Sequence, residues 1–419
     1  MIIKSIKNAL KKIPLVKPSY DFIKQQKEFV DNYFAYLRLK KVSKKSKHKL
    51  PIKVGFVTQV PECWQKIEPV FNEMLKRKEF EVFVILVPPY DISKQKVGDY
   101  SKETDFFANL VDNKHTFKYE DFDLSSVDYL FYQRPYDPVY PDKLKSKNAS
   151  KYTKLCYIPY ATTEMKYINT RPLSFFRNLS IAFLEDDSCI ELVKAKFNQN
   201  FDFQYNRFLN IGYPSFEQLL TLKTLNKSTR PRVLWTPRWS YDPIVGGSHF
   251  FEYVDYFTVI DREKVELSIR PHPLMWDNFL REKRITVEQI NDLKKKWKNN
   301  GIIVDLNKNL LDTFKNTDIM ISDRSSVISM FFMTGKPIIY CEFCPDEYSE
   351  MFKKFLPGLY IVNTQQELSL SMNRLINGID PLAGVRKSII KSFEHHKYAT
   401  INIVNYIEND YTLSESIIS

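Results

Sequence analysis

From Lys53 onward the chain alternates short, nearly continuous apolar runs with stretches whose apolar residues recur at helical spacing. Lys53-Val-Gly-Phe-Val-Thr-Gln-Val60 is such a run; a helical stretch from Lys66 to Lys76 follows, then Val82-Phe-Val-Ile-Leu-Val87. Further strands are expected at Tyr129–Gln133, Leu155–Pro159, Leu179–Leu184 and Phe208–Gly212. Runs that are apolar throughout belong to strands buried on both faces, and strands separated by helices imply a mostly parallel sheet. A polar stretch, Leu222 to Arg230, then precedes a second series: Arg232–Thr236, Val265–Ile269, Ile302–Leu306, Ile319–Ser322, Pro337–Cys341 and Leu359–Val362. The chain's 419 residues exceed one ordinary core and fit two domains of average size. The expected fold is α/β, two Rossmann-like domains (51–215 and 228–380) with parallel sheets facing a central cleft. Helices in 381–419 are expected to pack back on the first domain.

Ahead of the first strand the pattern is different. Ile2, Ile3, Ile6, Leu10 and Ile13 fall at helical spacing with Lys4, Lys7, Lys11 and Lys12 between them. Tyr20 to Leu39 repeats the device with Phe22, Ile23, Phe29, Val30, Tyr33, Phe34 and Leu37, and a Lys-rich linker, Lys40 to Lys49, follows. Formal charge is +12, yet residues 1–50 hold 13 lysines and one arginine against three acidic residues. Eleven of the net charges therefore sit in this arm and the rest of the chain is nearly neutral. A nucleic-acid binder spreads such charge over its folded face. A basic arm with an apolar face instead suits an anionic membrane surface; packing of Phe29, Phe34 and Leu37 onto the first domain is the competing expectation. No apolar run reaches the roughly 20 residues that span a bilayer, and lysines interrupt the pattern a signal peptide needs. The five scattered cysteines fit a reducing compartment, so a cytoplasmic protein lying peripherally on the inner face of the cell membrane is expected.

Chemistry is expected at the strand ends, because ligands of open α/β sheets bind beyond the carboxyl ends of the strands. Val265-Glu-Leu-Ser-Ile-Arg-Pro-His-Pro273 runs from a strand into Arg270-Pro-His272-Pro273, where two prolines stop the strand and hold the imidazole at its end. Asp318 to Ser322 feeds a polar turn, Asp323, Arg324, Ser325 and Ser326, before an apolar helix ending at Gly335. Backbone N–H groups and small hydroxyls at a helix start suit phosphate, and Arg324 adds a donor. An ordinary N-cap is the plainer reading of the two serines. Ten glycines is few, and neither G-x-G-x-x-G nor G-x-x-x-x-G-K-[ST] occurs, which argues against dinucleotide oxidoreductases and P-loop kinases. Cys341-Glu-Phe-Cys344 lacks a second ligand pair, and Glu185-Asp186-Asp187 reads first as a helix cap; no metal and no cofactor is expected.

The motifs Arg270-Pro-His272-Pro273 and Ser322-Asp323-Arg324-Ser325-Ser326, with Gly335-Lys336-Pro337 behind, resemble the CDP-glycerol glycerophosphotransferase family, the GT-B teichoic-acid primases and polymerases. The resemblance covers roughly residues 230–375. It implies a transferase that takes a cytidine-activated donor, with His272 at the transferring phosphoryl group. Arg270, Arg238, Asp323, Arg324, Ser325 and Ser326 would surround the nucleotide diphosphate, and a lipid-linked cell-surface polymer would be the acceptor. The same His-Pro and Ser-Ser pair recurs in transferases that use CMP-sugars, so a glycosyltransferase for a CMP- or UDP-sugar stands as the alternative, and a non-catalytic nucleotide-binding subunit of a capsule assembly complex as another.

Two departures are visible. The family's Y-A-P-T-W-R stretch is here Trp235-Thr-Pro-Arg238-Trp239, with the basic residue displaced. Its W-H-G-T-P motif, whose histidine acts on the acceptor hydroxyl, corresponds to Tyr160-Ala-Thr-Thr-Glu164, without histidine. Glu164 is the expected base in its place. Glu62, Gln133-Arg134-Pro-Tyr-Asp137 and Tyr160 are further candidates on the acceptor side.

Overall fold

The computed structural model describes residues 17–44, 49–91, 95–100, 102–163, 172–197, 201–222, 228–242, 247–307, 309–343 and 348–412. The amino-terminal sheet contains β1 (Ile52–Thr58), β2 (Phe80–Leu86), β5 (Thr116–Lys118), β6 (Tyr129–Tyr132), β7 (Lys154–Tyr157), β8 (Ile181–Phe183) and β9 (Arg207–Leu209), in the order β5-β2-β1-β6-β7-β8-β9. A two-stranded antiparallel pair, β3 (Tyr90–Asp91) and β4 (Lys96–Val97), stands apart from it. The second sheet contains β10 (Arg232–Thr236), β11 (Glu266–Ile269), β12 (Ile303–Val304), β13 (Ile319–Asp323), β14 (Ile338–Cys341) and β15 (Tyr360–Val362), in the order β12-β11-β10-β13-β14-β15. Every pairing within the two sheets is parallel. The molecule is an α/β protein of two parallel-sheet domains with the GT-B arrangement.

The central strands are buried along their length because helices cover both faces: β6, β7, β13 and β14 have no exposed position. Each sheet changes winding direction at one place, between β1 and β6 and between β10 and β13. There the loops diverge to opposite faces and leave a crevice at the carboxyl edge. The first core runs without a break from Val54, Phe56 and Leu130 into Ile328, Met330 and Phe331, on one face of the second sheet. The other face has its own core, around Trp235, Phe257 and Trp297.

The helix Ala399–Thr412 lies against the first sheet. Asp410 accepts from Tyr129 Oη (2.6 Å), Lys154 Nζ (2.8 Å) and Arg207 Nη2. Burial works to raise its carboxyl pKa, but Lys154 and Arg207 hold it below the usual value. The start of this helix approaches Gly212 so closely that a Cβ there would lie 2.5 Å from Ala399 Cα, at a φ of +123°.

The arm resolves into two faces. Its helix spans Lys17–Ser43, longer than the periodicity suggests at both ends. Asn32, Ala35, Leu39 and Val42 are buried, spaced as one helical stripe. Arg38 donates to Ser150 Oγ (3.2 Å) and Asn178 Oδ1 (2.6 Å), and Asp31 pairs with Arg177 at 3.3 Å. Phe29, Val30, Tyr33, Phe34 and Leu37 face outward; Phe29 and Tyr33 are each 54% exposed. The helix therefore packs on the first domain through its smaller residues, not through Phe29, Phe34 and Leu37. Residues 1–16, and the side chains of Phe22 and Ile23, lie outside the described residues.

Candidate active site

Three adjacent strands, β11, β10 and β13, end at the residues that the sequence singles out, and the crevice between β10 and β13 lies among them. At the end of β11, Pro271 halts the strand and His272 sits half-buried above it. Its Nδ1 accepts from the Leu274 N–H at 3.1 Å, so the neutral ring carries its proton on Nε2. Burial, aided by the Arg238 charge, pulls its pKa down to about 4. His272 is therefore an uncharged Nε2–H donor at neutral pH. Its ring centroid lies 6.2 Å from that of Trp239.

Arg238, at the end of β10, is buried between the other two strand ends. Its guanidinium donates to the carbonyl of Arg324 and lies 5.7 Å from the Trp239 ring. Asp323, at the end of β13, accepts from the Arg238 N–H (2.8 Å), Ser248 Oγ (2.7 Å) and the His249 N–H (3.2 Å). Those bonds occupy the carboxylate in the interior, where burial raises its pKa. Asp323 thus ties three loops together beneath the crevice, whereas the sequence placed it among the groups surrounding the nucleotide. Arg324 is buried as well, with its charge beside Tyr340 and Tyr348. Arg270 reaches sideways through Nη1 to Asp305 Oδ2 (2.8 Å) and Thr313 Oγ1 (3.4 Å).

Ser325 and Ser326 are both half-buried. Ser325 occupies the N-cap position of the helix Ser326–Phe332 in extended conformation, φ −160° and ψ 151°, but its hydroxyl caps none of the helix N–H groups. The plain capping role is not what this serine performs. Of the first-turn N–H groups, that of Ile328 donates to the Ser325 carbonyl at 3.0 Å, those of Ser326 and Val327 precede any intrahelical partner, as at any helix start, and two hydroxyls stand beside them.

From the amino-terminal domain, the loop after β7 meets this turn. Thr162 Oγ1 donates to the Ser326 carbonyl at 3.3 Å, and Ser349 Oγ donates to the Thr163 carbonyl. Glu164 follows directly but lies outside the described residues. At the β1/β6 crevice, Gln133 Oε1 accepts from the N–H groups of Gln59 (2.7 Å) and Val60 (2.9 Å), splinting the two strand ends. Arg134 donates to Gln59 Oε1, and Tyr136 and Tyr160 share a hydrogen bond of 3.0 Å. Asp137 is turned inward, accepting from the N–H (2.6 Å) and hydroxyl (2.9 Å) of Ser146, and Glu62 is exposed. Asp186 caps the helix Asp187–Lys194 through the Ser188 N–H and pairs with Lys354 at 2.5 Å across the domains.

One residue that sequence reading passes over is Lys66. It stands at the head of an amphipathic helical stretch among charged residues, which reads as surface, yet it is buried against the second domain. Its Nζ lies 3.4 Å from Met330 Sδ, in the helix that Ser326 begins.

Two parallel-sheet domains with an imidazole, a buried guanidinium and a serine couplet at neighbouring strand ends place the molecule in the GT-B fold class. More particularly, residues 188–377 match the model of the family described as CDP-glycerol:poly(glycerophosphate) glycerophosphotransferase. The match takes in both motifs that carry the resemblance in the sequence, Arg270-Pro-His272-Pro273 and Ser322-Asp323-Arg324-Ser325-Ser326. No curated protein sequence matches the chain. Among solved structures, the wall teichoic acid polymerase TagF is similar at 13% identity with a TM-score of 0.55, over 96% of this chain and 99% of that one. The UDP-GlcNAc 2-epimerase of Neisseria meningitidis, bound to UDP-GlcNAc, is similar at 11% identity with a TM-score of 0.57, over 85% and 100%. Likeness at these identities establishes the shared fold.

Proposed function

We propose that the protein transfers a polyol phosphate, glycerol phosphate or a close relative, from a CDP-activated donor to a cell-surface polymer and releases CMP. The observation that carries this reading is the convergence of His272, Arg238 and the Ser325-Ser326 turn on three adjacent strand ends at the β10/β13 crevice. An acceptor hydroxyl attacks the β-phosphorus, and the bond to the bridging oxygen breaks as CMP leaves. Negative charge grows on the phosphoryl and leaving oxygens, so fixed donors in a partly dry crevice do most of the work. His272 donates from Nε2 to a phosphoryl oxygen. Its low pKa favours hydrogen bonding by a neutral ring over delivery of a proton that it already holds. Ser325 and Ser326 receive the diphosphate, and Arg238 supplies positive charge from beneath. Glu164 is the base for the acceptor hydroxyl in this scheme, supported by the contact of its neighbours Thr162 and Thr163 with residues of the second domain.

The outward face of the helix Lys17–Ser43 supports a peripheral site of action on an anionic membrane. Phe29, Tyr33, Phe34 and Leu37 are exposed there, with Lys27 and Lys41 close by in the helix. Among the described residues no helix is long and apolar enough to cross a membrane. Incubation with CDP-glycerol, CMP-sugars and UDP-sugars, following the nucleotide released, tests the donor. UDP or sugar-dependent CMP release in place of CMP from CDP-glycerol would overturn the polyol-phosphate reading.

A further inference from the structure

Lys66 is 7% exposed, and its ammonium reaches no carboxylate among the described residues. Among the described residues its hydrogen-bond partner is the Met330 thioether, a weak acceptor. A buried ammonium without a counter-ion among the described residues is costly, and the Arg270 guanidinium, a second cation nearby, makes it costlier. The Cys63 thiol beside it favours the charge, but burial pushes that thiol itself up to about 11. Burial lowers the ammonium pKa to about 8, which still leaves it charged at neutral pH.

The position explains what such a charge is for. Lys66 belongs to the first domain, in the turn between the helices Pro61–Trp64 and Glu68–Lys76. Gln65, next to it, accepts from the Leu310 N–H of the second domain at 3.3 Å, which pins the turn across the interface. Met330 is four residues after Ser326, hence on the same helix face. Helical side chains lean toward the N-terminus, so the Met330 thioether points back toward the Ser325-Ser326 turn. The ammonium that rests on it lies against the helix this turn begins, with the Arg270 guanidinium near enough to lower its pKa.

We propose that Lys66 is the first domain's contribution to the donor site, an ammonium that binds a phosphate oxygen of the nucleotide diphosphate received by Ser325 and Ser326. The inference rests on the donor reading above for the identity of the ligand. The phosphate supplies the counter-charge that Lys66 lacks among the described residues and relieves the repulsion between Lys66 and Arg270. Because Lys66 and the serines belong to different domains, the bound diphosphate also ties the domains together.

Calorimetric titration of the full chain with cytidine, CMP, CDP and inorganic pyrophosphate, alongside thermal melts, tests this with Lys66→Met. Methionine keeps the length and removes the charge, so the melting temperature is expected to hold or rise. Affinity for CDP and for pyrophosphate is expected to fall on the order of tenfold to a hundredfold, as when a charged hydrogen bond is lost, with cytidine affinity unchanged. Equal affinity of wild type and Lys66→Met for both diphosphates would overturn the assignment, as would a collapsed melting temperature with cytidine binding lost too. Wild-type binding of pyrophosphate that Lys66→Met loses, without binding of any cytidine compound, would uphold Lys66 and overturn the cytidine donor. Absence of any diphosphate binding by the wild type would overturn Lys66.

Discussion

Replacing His272 with Ala removes one Nε2–H donor from the transferring phosphoryl group and little else. Among the described residues the ring makes one hydrogen bond, from the Leu274 N–H, and it is only half-buried. Loss of that bond and of the ring's packing is expected to cost about 1 kcal/mol of stability. Loss of a fixed donor to a developing oxyanion typically costs about 2.7–4 kcal/mol in the transition state, or 10²–10³ in kcat. The assay is steady-state CMP release by wild type and His272→Ala, with thermal melts alongside. His272→Gln, which retains an N–H donor on a flexible stem, is expected to fall between the two. The pH dependence separates the possible roles of the ring. A folded-state pKa of about 4, below the ordinary value of 6.5, keeps the imidazole neutral through pH 6–8, so His272 should impose no fall in rate as pH rises through 6.5. It also means that protonation favours the unfolded chain. The stability associated with His272 is full above pH 6.5 and declines as pH falls toward 4, and His272→Ala should flatten that decline. Near-normal turnover by His272→Ala with each donor, or a melting temperature lowered by more than roughly 10 °C, which would indicate a structural role, would refute the reasoning.

Three other outcomes are expected. Ser326→Leu should weaken CDP binding on the order of tenfold or more in calorimetry, because the side chain fills the approach to the helix start; unchanged affinity would reduce the serine couplet to a structural turn. Changing Phe29, Tyr33, Phe34 and Leu37 to serine should leave the melting temperature within a few degrees, since all four are exposed, yet abolish co-sedimentation with anionic vesicles. Equal sedimentation would remove the membrane role from this face. Gly212→Ala should cost about 2–4 kcal/mol, from a left-handed φ and a Cβ driven into Ala399, and an unchanged melting temperature would contradict the close docking of the last helix.

The parallel strands were legible because burial on both faces makes them read as unbroken apolar runs, and Arg232–Thr236 has the bounds its run suggests. The strand Thr116–Lys118 was not, since it lies at the sheet edge with Phe117 as its one apolar residue. That His272, Arg238 and the serine couplet stand at strand ends was legible because prolines and small polar residues mark where strands stop. Asp323 was read as facing the nucleotide because a carboxylate at a strand end looks the same whether it faces a crevice or binds loops from below. Only the positions of Ser248 and His249, 75 and 74 residues away, distinguish the two. The arm helix shows the same limit. Its pattern reveals an apolar surface, but which stripe docks depends on Arg38 meeting Ser150 and Asn178, contacts that no local spacing encodes. Lys66 was illegible for that reason too: its burial is created by a turn of one domain entering the other.

The measurement closest to the central claim is CMP release from CDP-glycerol, followed in parallel for wild type and His272→Ala at matched concentration. CMP release by the wild type, reduced at least a hundredfold by the substitution, is the predicted result. Release at equal rates by both proteins, or by neither while a UDP-sugar yields UDP, would contradict it.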